Sequence, residues 1–522
     1  MKRLLLISIH ILFSSLAFAQ NKDISAGAVF EGEPYLAVDP SNPQHLVIAW
    51  MGYVPLSHLC IKVKTSFDGG NTWSSANVIK HQSGSYTSAD VSIVFDHLGN
   101  VYASYIDSRQ SPDSGGVYIS KSVDGGLTWG ASNLVISLFA DGSKNPLDRP
   151  WLVIGKGSGS SPDTMYVTTK PAPWIAPPNR PYFVRSYDYG VTWSAWKYID
   201  STGFRVGNVI QAPMAAPAVD SAGKFHCVYP AYYPAESIYP RYILASPGTT
   251  SSFSYNVVFS GIGTSPIDTL AKAGGRLVCD PTNNKHYVFF SIQNYSTDLD
   301  VYYTETFNGG TSWSTPKRVN DDAIGNGKMQ DLVWGNFDEH GNLVAAWRDR
   351  RNAPGMGYQQ PSEIWGAVKW KDSTFFSSNF RVSDTIVAYD SAYLSGNGND
   401  FMNVTMAQDT LTAAWGDVRT GALNIWLTRR NMSTGAVSGV QNIVSEKLPD
   451  VNIYPNPTTS SITIEGDDLE KVSLYDITGR LVLQLSIRKN KIFIDVSKLS
   501  SGTYFATVQT AQGLVTEQVV KQ

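Results

Sequence analysis

The chain has 522 residues, of which 16% are charged and 12% aromatic, with 44 glycines, 27 prolines and a net charge of −3. That length allows more than one domain. The near-neutral balance, with no basic patch or arginine-rich aromatic segment, argues against a nucleic-acid partner. A glycine-rich, aromatic-rich and charge-poor composition suits short strands joined by tight turns, an all-β protein.

Residues 1–19 read as an export signal. Lys2 and Arg3 precede an apolar run from Leu4 to Phe13, and Ala17-Phe18-Ala19 stands before Gln20 like a signal peptidase site. The run is short for a spanning helix, so the mature chain is expected to be exported and to keep no transmembrane segment.

From there a pattern of strand, Asp/Gly/Asn turn and second apolar strand recurs. Tyr35–Asp39 pairs with Leu46–Trp50, Val91–Asp96 with Val101–Tyr105, and Trp151–Ile154 with Met165–Thr168. Ala216–Asp220 pairs with Phe225–Tyr229, and Arg276–Asp280 with His286–Phe290. Leu332–Asp338 pairs with Leu343–Trp347, and Asn403–Met406 with Leu411–Trp415. Seven units about sixty residues apart fit one propeller blade each. The expected fold from residue 26 to 446 is a seven-bladed β-propeller, with six blades as the alternative.

An octet is laid over this pattern. It runs Ser66 to Trp73, Ser122 to Trp129 and Ser186 to Trp193, with Asp68, Asp124 and Asp188 in third place. A looser copy from Thr306 to Trp313 has Asn308 and Ser312 where the others have Asp and Thr. Its glycines supply the positive φ of a tight turn. Its Asp and Thr can accept and donate turn hydrogen bonds. Its Trp can close the end of a small sheet. The octet resembles the Asp box, or BNR repeat, of the sialidase superfamily. The resemblance implies a propeller whose boxes lie between the third and fourth strands of a blade, away from the active face. On that reading Asp68, Trp73, Asp124, Trp129, Asp188, Trp193 and Trp313 are structural. Sialidases have six blades, so a count of seven departs from the family.

Composition shifts after Ser445. Residues 451–522 show short alternating strands with Gly, Asn and Pro turns, the pattern of a small β-sandwich. The Tyr454-Pro455-Asn456-Pro457 opening, the turn from Asp476 to Gly479-Arg480, and Leu499 followed by Gly502 and Tyr504 resemble the type A C-terminal sorting domain of the type IX secretion system of Bacteroidota. The resemblance implies that the type IX machinery is a partner. It also implies passage through the periplasm and outer membrane, then release or anchoring at the cell surface. Cys60, Cys227 and Cys279 fall in strand-like runs and read as buried free thiols; a Cys227–Cys279 bridge is the alternative.

In a propeller, the starts of the innermost strands and the ends of the second strands open on one face. Charge gathers at both. Asp90, Arg149, Arg276 and Asp331 break the repeat and are the catalytic candidates. Glu33, Arg109, Asp349, Arg350, Arg419, Trp174 and Tyr232 are the binding candidates. A repeated Asp-x-Arg at Asp107, Asp349 and Asp417 also reads as an intra-loop ion pair of little energetic weight. Arginine forks, carboxylates and aromatic rings together suit an acidic sugar. The sialidase set is incomplete: the place of its opening arginine motif reads Glu33-Pro34-Tyr35-Leu36. No cofactor is expected. No compact calcium-loop spacing supports a metal held by Glu33, Asp90 and Asp331.

The residues therefore point to an exported protein that acts on or binds a glycan or polysaccharide. Three readings stay open: a glycan-binding surface protein, an exo-glycosidase or lyase on sialic or uronic glycans, and a non-catalytic adhesive propeller.

Overall fold

The computed structural model describes residues 21–54, 58–109, 113–140, 142, 147–157, 161–172, 180–200, 215–231, 241–247, 252–260, 275–293, 298–388, 399–433, 451–476, 480–510 and 513–522. The expected export signal, Trp174 and Tyr232 lie outside these residues.

Among the described residues the chain forms seven four-stranded antiparallel sheets and one five-stranded sheet. The first sheet runs Glu31–Asp39, Asn42–Tyr53, Leu59–Ser66 and Asn77–Val78 in spatial as in chain order. The next five repeat this order, with inner strands Tyr86–Phe95, Leu147–Gly155, Ala216–Val219, Gly275–Cys279 and Gln330–Phe337. The seventh starts at Asn403–Ala407, and its fourth strand is Lys22–Asp23, paired antiparallel with Asn424–Asn431. Each inner strand touches the next, and the seventh returns to the first. The result is a propeller-like ring of sheets. All seven strand pairs read from the sequence coincide with first and second strands. The expected start at residue 26 falls too late, because closure of the ring recruits residues 22–23 into the last sheet.

The second strands are apolar because they are covered on both sides. Val47, Ile48, Ala49 and Trp50 are wholly buried, as are Val344, Ala345, Ala346 and Trp347. The antiparallel order fixes two faces. Starts of inner strands and second-to-third connections lie on one face; first-to-second and third-to-fourth connections lie on the other.

The octet occupies the third-to-fourth connection of the first, second, third and fifth sheets. Asp68 accepts the Thr72 amide at 2.8 Å, the Thr72 hydroxyl at 2.6 Å and the Ser66 hydroxyl at 2.8 Å. Asp124 and Asp188 repeat all three bonds. The fourth copy keeps the geometry with one direction reversed. Asn308 Oδ1 still accepts the Ser312 amide at 3.0 Å, and its Nδ2 donates to the Ser312 hydroxyl at 2.8 Å. Trp73 and Trp193 donate to the carbonyls of Gly70 and Gly190, closing the turn.

The second octet glycine also stitches sheets together. Gly126 has φ +94°, and a Cβ there would lie 2.6 Å from Thr65 Oγ1 and 3.0 Å from a Val47 methyl, both in the preceding sheet. Gly310 meets Leu244 of the fourth sheet in the same way. Around these turns, His45 is sandwiched between Phe67 and Phe95, and His286 between Phe307 and Phe337.

Residues 452–521 form the five-stranded sheet. Ser461–Asp476 pairs with Leu481–Asp495 along one side, and with Asn452–Tyr454 and Gly502–Thr510 along the other. Bulges between Glu465 and Lys471 bend this strand, so one sheet curls around Ile462, Ile464, Val472, Leu474, Val508 and Val519. This half-barrel replaces the expected sandwich of two separate sheets. Cys60, Cys227 and Cys279 are all free thiols, so the alternative Cys227–Cys279 bridge is not formed.

Gly126→Ala should destabilise the ring by about 1–3 kcal/mol through left-handed strain and the clash with Thr65. Urea unfolding should show the loss, whereas Gly84→Ala, whose Cβ would meet nothing within 4 Å, should stay within about 0.5 kcal/mol of the parent.

Candidate functional site

Four inner strands break their ladders at one place. Register shifts fall between Gly32 and Tyr35, Ala89 and Ser92, Asp148 and Trp151, and Asp331 and Trp334. Each bulge puts a non-glycine residue in left-handed backbone: Glu33 (φ 58°), Asp90 (54°), Arg149 (51°) and Leu332 (52°). Such residues each cost on the order of 1–3 kcal/mol and collect at functional sites. Two residues further on, the same strands carry Tyr35, Ser92, Trp151 and Trp334. The three rings and Phe401 pack at centroid distances of 5.1–5.7 Å and are buried. The centre of the ring is thus plugged by aromatics, and the bulges present charge above the plug.

The bulge residues of the first three sheets converge. The Arg149 amide donates to Asp90 Oδ2 at 3.0 Å, and the Arg149 guanidinium reaches Asp400, three residues before the seventh sheet's first strand, at 3.0 Å. The Asp400 amide donates to Glu33 Oε1 at 3.3 Å. Asp148 pairs with Lys170, its cross-strand partner on the second strand. Asp90 is in hydrogen-bond contact with the carboxyls of both Glu33 and Asp148. Among the described residues no N–H or hydroxyl reaches buried Glu33 Oε2. Acids in such contact must share protons.

The charges divide accordingly. Burial, then Asp90 and Asp400, push the Glu33 carboxyl well above the usual range. Burial and Asp148 raise Asp90 to about 7. Burial also works against the Asp148 charge, but Lys170 and Arg149 outweigh it and hold that carboxyl below the usual range. Arg149 stays firmly charged despite burial, because Asp148 and Asp400 flank it.

The sixth sheet is built differently. Asp331 sits opposite Arg348, as Asp148 sits opposite Lys170. Arg348 grips it in a fork at 2.7 and 2.5 Å, and Arg350 adds a bond at 3.2 Å. Asp331 and Arg350, read from the sequence as catalytic and binding candidates, are fully buried in this ion pair, with both Asp331 oxygens engaged by guanidinium groups. Arg276 differs again. Its guanidinium lies over Trp334 at 4.5 Å, its Nε is buried without a partner, and it makes no ion pair among the described residues.

The Asp-x-Arg copies are loop ion pairs at two places. Asp349 binds Arg351 at 2.8 Å and Asp417 binds Arg419 at 2.5 Å, each carboxylate also accepting a tryptophan N–H. Each guanidinium lies over a further ring, Trp365 or Trp426. In the second sheet Asp107 instead takes His81 at 2.8 Å, and exposed Arg109 pairs with Asp113. His226 and His286 are buried against Asp220 and Asp280, as packed histidines. Lys170 was absent from the sequence reading. The available signal was its place at the end of a second strand, where its neighbours carry Asp or Arg. Asp148 and Asp400 are likewise not among the candidates named from the sequence. A crevice of about 30 Å³ between Arg348, Glu363, Trp415 and Asp417 lies away from this cluster and has room for water only.

Comparison with known proteins resolves the other end of the chain. Residues 452–522 match the family described as secretion system C-terminal sorting domain. They are a type IX secretion sorting domain. The chain is therefore exported to the cell surface or beyond. Among the described residues no helix is long and apolar enough to cross a membrane. An ulvan lyase of Nonlabens ulvanivorans is 33% identical over 70 residues, 13% of this chain and 13% of that protein. An α-L-arabinanase of Penicillium chrysogenum complexed with arabinobiose aligns at 10% identity, over 80% of this chain and 99% of its own, with a TM-score of 0.44. An ulvan lyase bound to -[GlcA(1-4)Rha3S]- aligns at 11% identity, over 68% and 79%, with a TM-score of 0.39. Likenesses this remote carry no activity across to this chain.

The shared proton has a thermodynamic signature. Asp90 holds its proton in the folded state up to about pH 7 and releases it near 4 when unfolded. Its stabilisation is fully present below pH 4 and is lost as pH rises through about 7. Relative to Asp90→Asn, whose amide stands in for the protonated acid, the parent should lose up to about 1.4 kcal/mol per pH unit across that window. Chemical denaturation at pH 4.5, 6 and 7.5 measures the difference; parallel curves would refute the shared proton.

Proposed function

We propose that this exported chain is a seven-bladed propeller of the Asp-box kind that binds an acidic polysaccharide on the face carrying Glu33, Asp90, Arg149 and Arg276. The reading rests above all on Arg276. Its guanidinium lies over Trp334 of the aromatic plug at 4.5 Å and makes no ion pair among the described residues, in a site where the neighbouring described cations are matched. Lys170 and Arg149 answer Asp148 and Asp400, and Asp331 answers Arg348 and Arg350. With Glu33 and Asp90 protonated, the face is cationic near neutrality. An arginine over an aromatic ring suits a sugar carboxylate or sulfate.

Polygalacturonate, alginate and a sulfated galactan, titrated at low ionic strength, test the reading. Arg276→Ala should weaken binding at least about tenfold, the scale of one charged hydrogen bond. Arg276→Lys should recover only part of it. Binding should weaken as pH rises past 7 and Asp90 ionises. A parent that binds no acidic polymer would sink the proposal.

One observation favours a second reading, cleavage of such a glycan. A carboxyl protonated near pH 7 beside an ionised one is the arrangement of a general acid. Against direct hydrolysis, these carboxyls touch, whereas glycosidase pairs stand about 5–9.5 Å apart around the bond. New reducing ends or unsaturated products that vanish in Asp90→Asn would establish cleavage.

A further inference from the structure

The octet turns carry a side chain that their own hydrogen bonds do not use. The second residue is Phe67, Val123, Tyr187 and Phe307 in the four copies, exposed by 51%, 75%, 56% and 60%. The third-to-fourth connection of the sixth sheet lacks the octet, yet it exposes Phe375 by 72%. Exposure at this connection is therefore not a by-product of the octet. All these residues lie on the face opposite the charged cluster.

We propose that Phe67, Tyr187 and Phe307 are stacking platforms of a second carbohydrate-binding surface, which takes neutral sugar units of a polysaccharide. Each ring is backed on its inner side and open on its outer side. His45 stacks under Phe67 at 4.6 Å and 23°, and His286 under Phe307 at 4.3 Å and 12°. Arg185 covers one side of Tyr187 at 5.1 Å. The imidazoles are themselves fixed, His45 by Asp39 and the Gly125 carbonyl, His286 by Asp280. A ring held this way keeps its orientation with little side-chain entropy left to lose on binding.

The neighbouring groups select among occupants. Asp68 and Asp188 follow Phe67 and Tyr187, and the hydroxyls and amides of their own turns hold both carboxylates ionised beside the rings. The same carboxylates oppose an anionic lipid surface or an acidic polymer. The rings stand on separate sheets with polar turns between them, unlike the continuous apolar core of a protein interface.

The mature full-length chain, run through native gels cast with xylan, galactomannan or mixed-linkage glucan, tests this directly. At least one neutral polymer should retard the parent. Phe67→Ala/Tyr187→Ala/Phe307→Ala should weaken that retention about tenfold or more, while Arg276→Ala keeps it. Because Phe67 and Phe307 cover buried imidazoles, Tyr187→Ala/Phe375→Ala provides a variant that uncovers neither. It should lower retention at an unchanged melting temperature. No retardation in any neutral gel would overturn the proposal, as would variants retarded like the parent. So would a self-association that depends on these rings in place of polysaccharide retention.

Discussion

Seven strands that converge on one axis leave a hole between them, and filling it decides what the rest of the face can be. Here Tyr35, Trp151 and Trp334 occupy equivalent places and meet Phe401. In the first, third and sixth sheets a bulge stands just before the ring that reaches the axis. The residue at each bulge is lifted above the plug in left-handed backbone. The floor and the charged cluster are therefore one construction. Arg276 joins it from the fifth sheet, whose described first and second strands pair without a register shift, by lying over the floor ring Trp334.

Electrostatics then separates sheets that look alike. The cross-strand pairs Asp148–Lys170 and Asp331–Arg348 are equivalent in register. The second is locked by a guanidinium fork and by Arg350, which commits every acidic oxygen. The first uses a single ammonium, which leaves Asp148 free to touch Asp90 and through it Glu33. A Lys in place of Arg348, and no counterpart of Arg350, thus separate a sealed ion pair from a cluster that stores a proton. The strain of three charged left-handed residues has its counterpart in the bonds from the Arg149 and Asp400 amides, which reach across sheets.

Much of the fold was legible because turns and alternation are local. The octet spelled its own hydrogen bonds, and even Asn308 with Ser312 satisfies them by reversing one donor. The strand pairs were legible because buried strands show apolar runs. What stayed hidden depends on neighbours distant in sequence. Asp331 and Arg350 looked available until Arg348 was placed opposite. Lys170 looked like a strand end until its register met Asp148. The curl of residues 452–521 into a half-barrel depends on bulges that simple alternation does not reveal. The recruitment of Lys22 and Asp23 into the last sheet follows only from closing the ring.

That closure sets an order for folding. Asn21 bonds to Asp384 and Val382, and Asp23 pairs with Trp426, across more than three hundred and sixty residues. Contacts so distant in sequence form late, since each carries a large loop-closure cost. Until they form, Asn424–Asn431 is an edge strand with unpaired backbone groups, the kind of edge on which chains aggregate. An exported ring of this design is thus most vulnerable in the interval between the emergence of its first strand and the arrival of its last, when its two ends have not yet met.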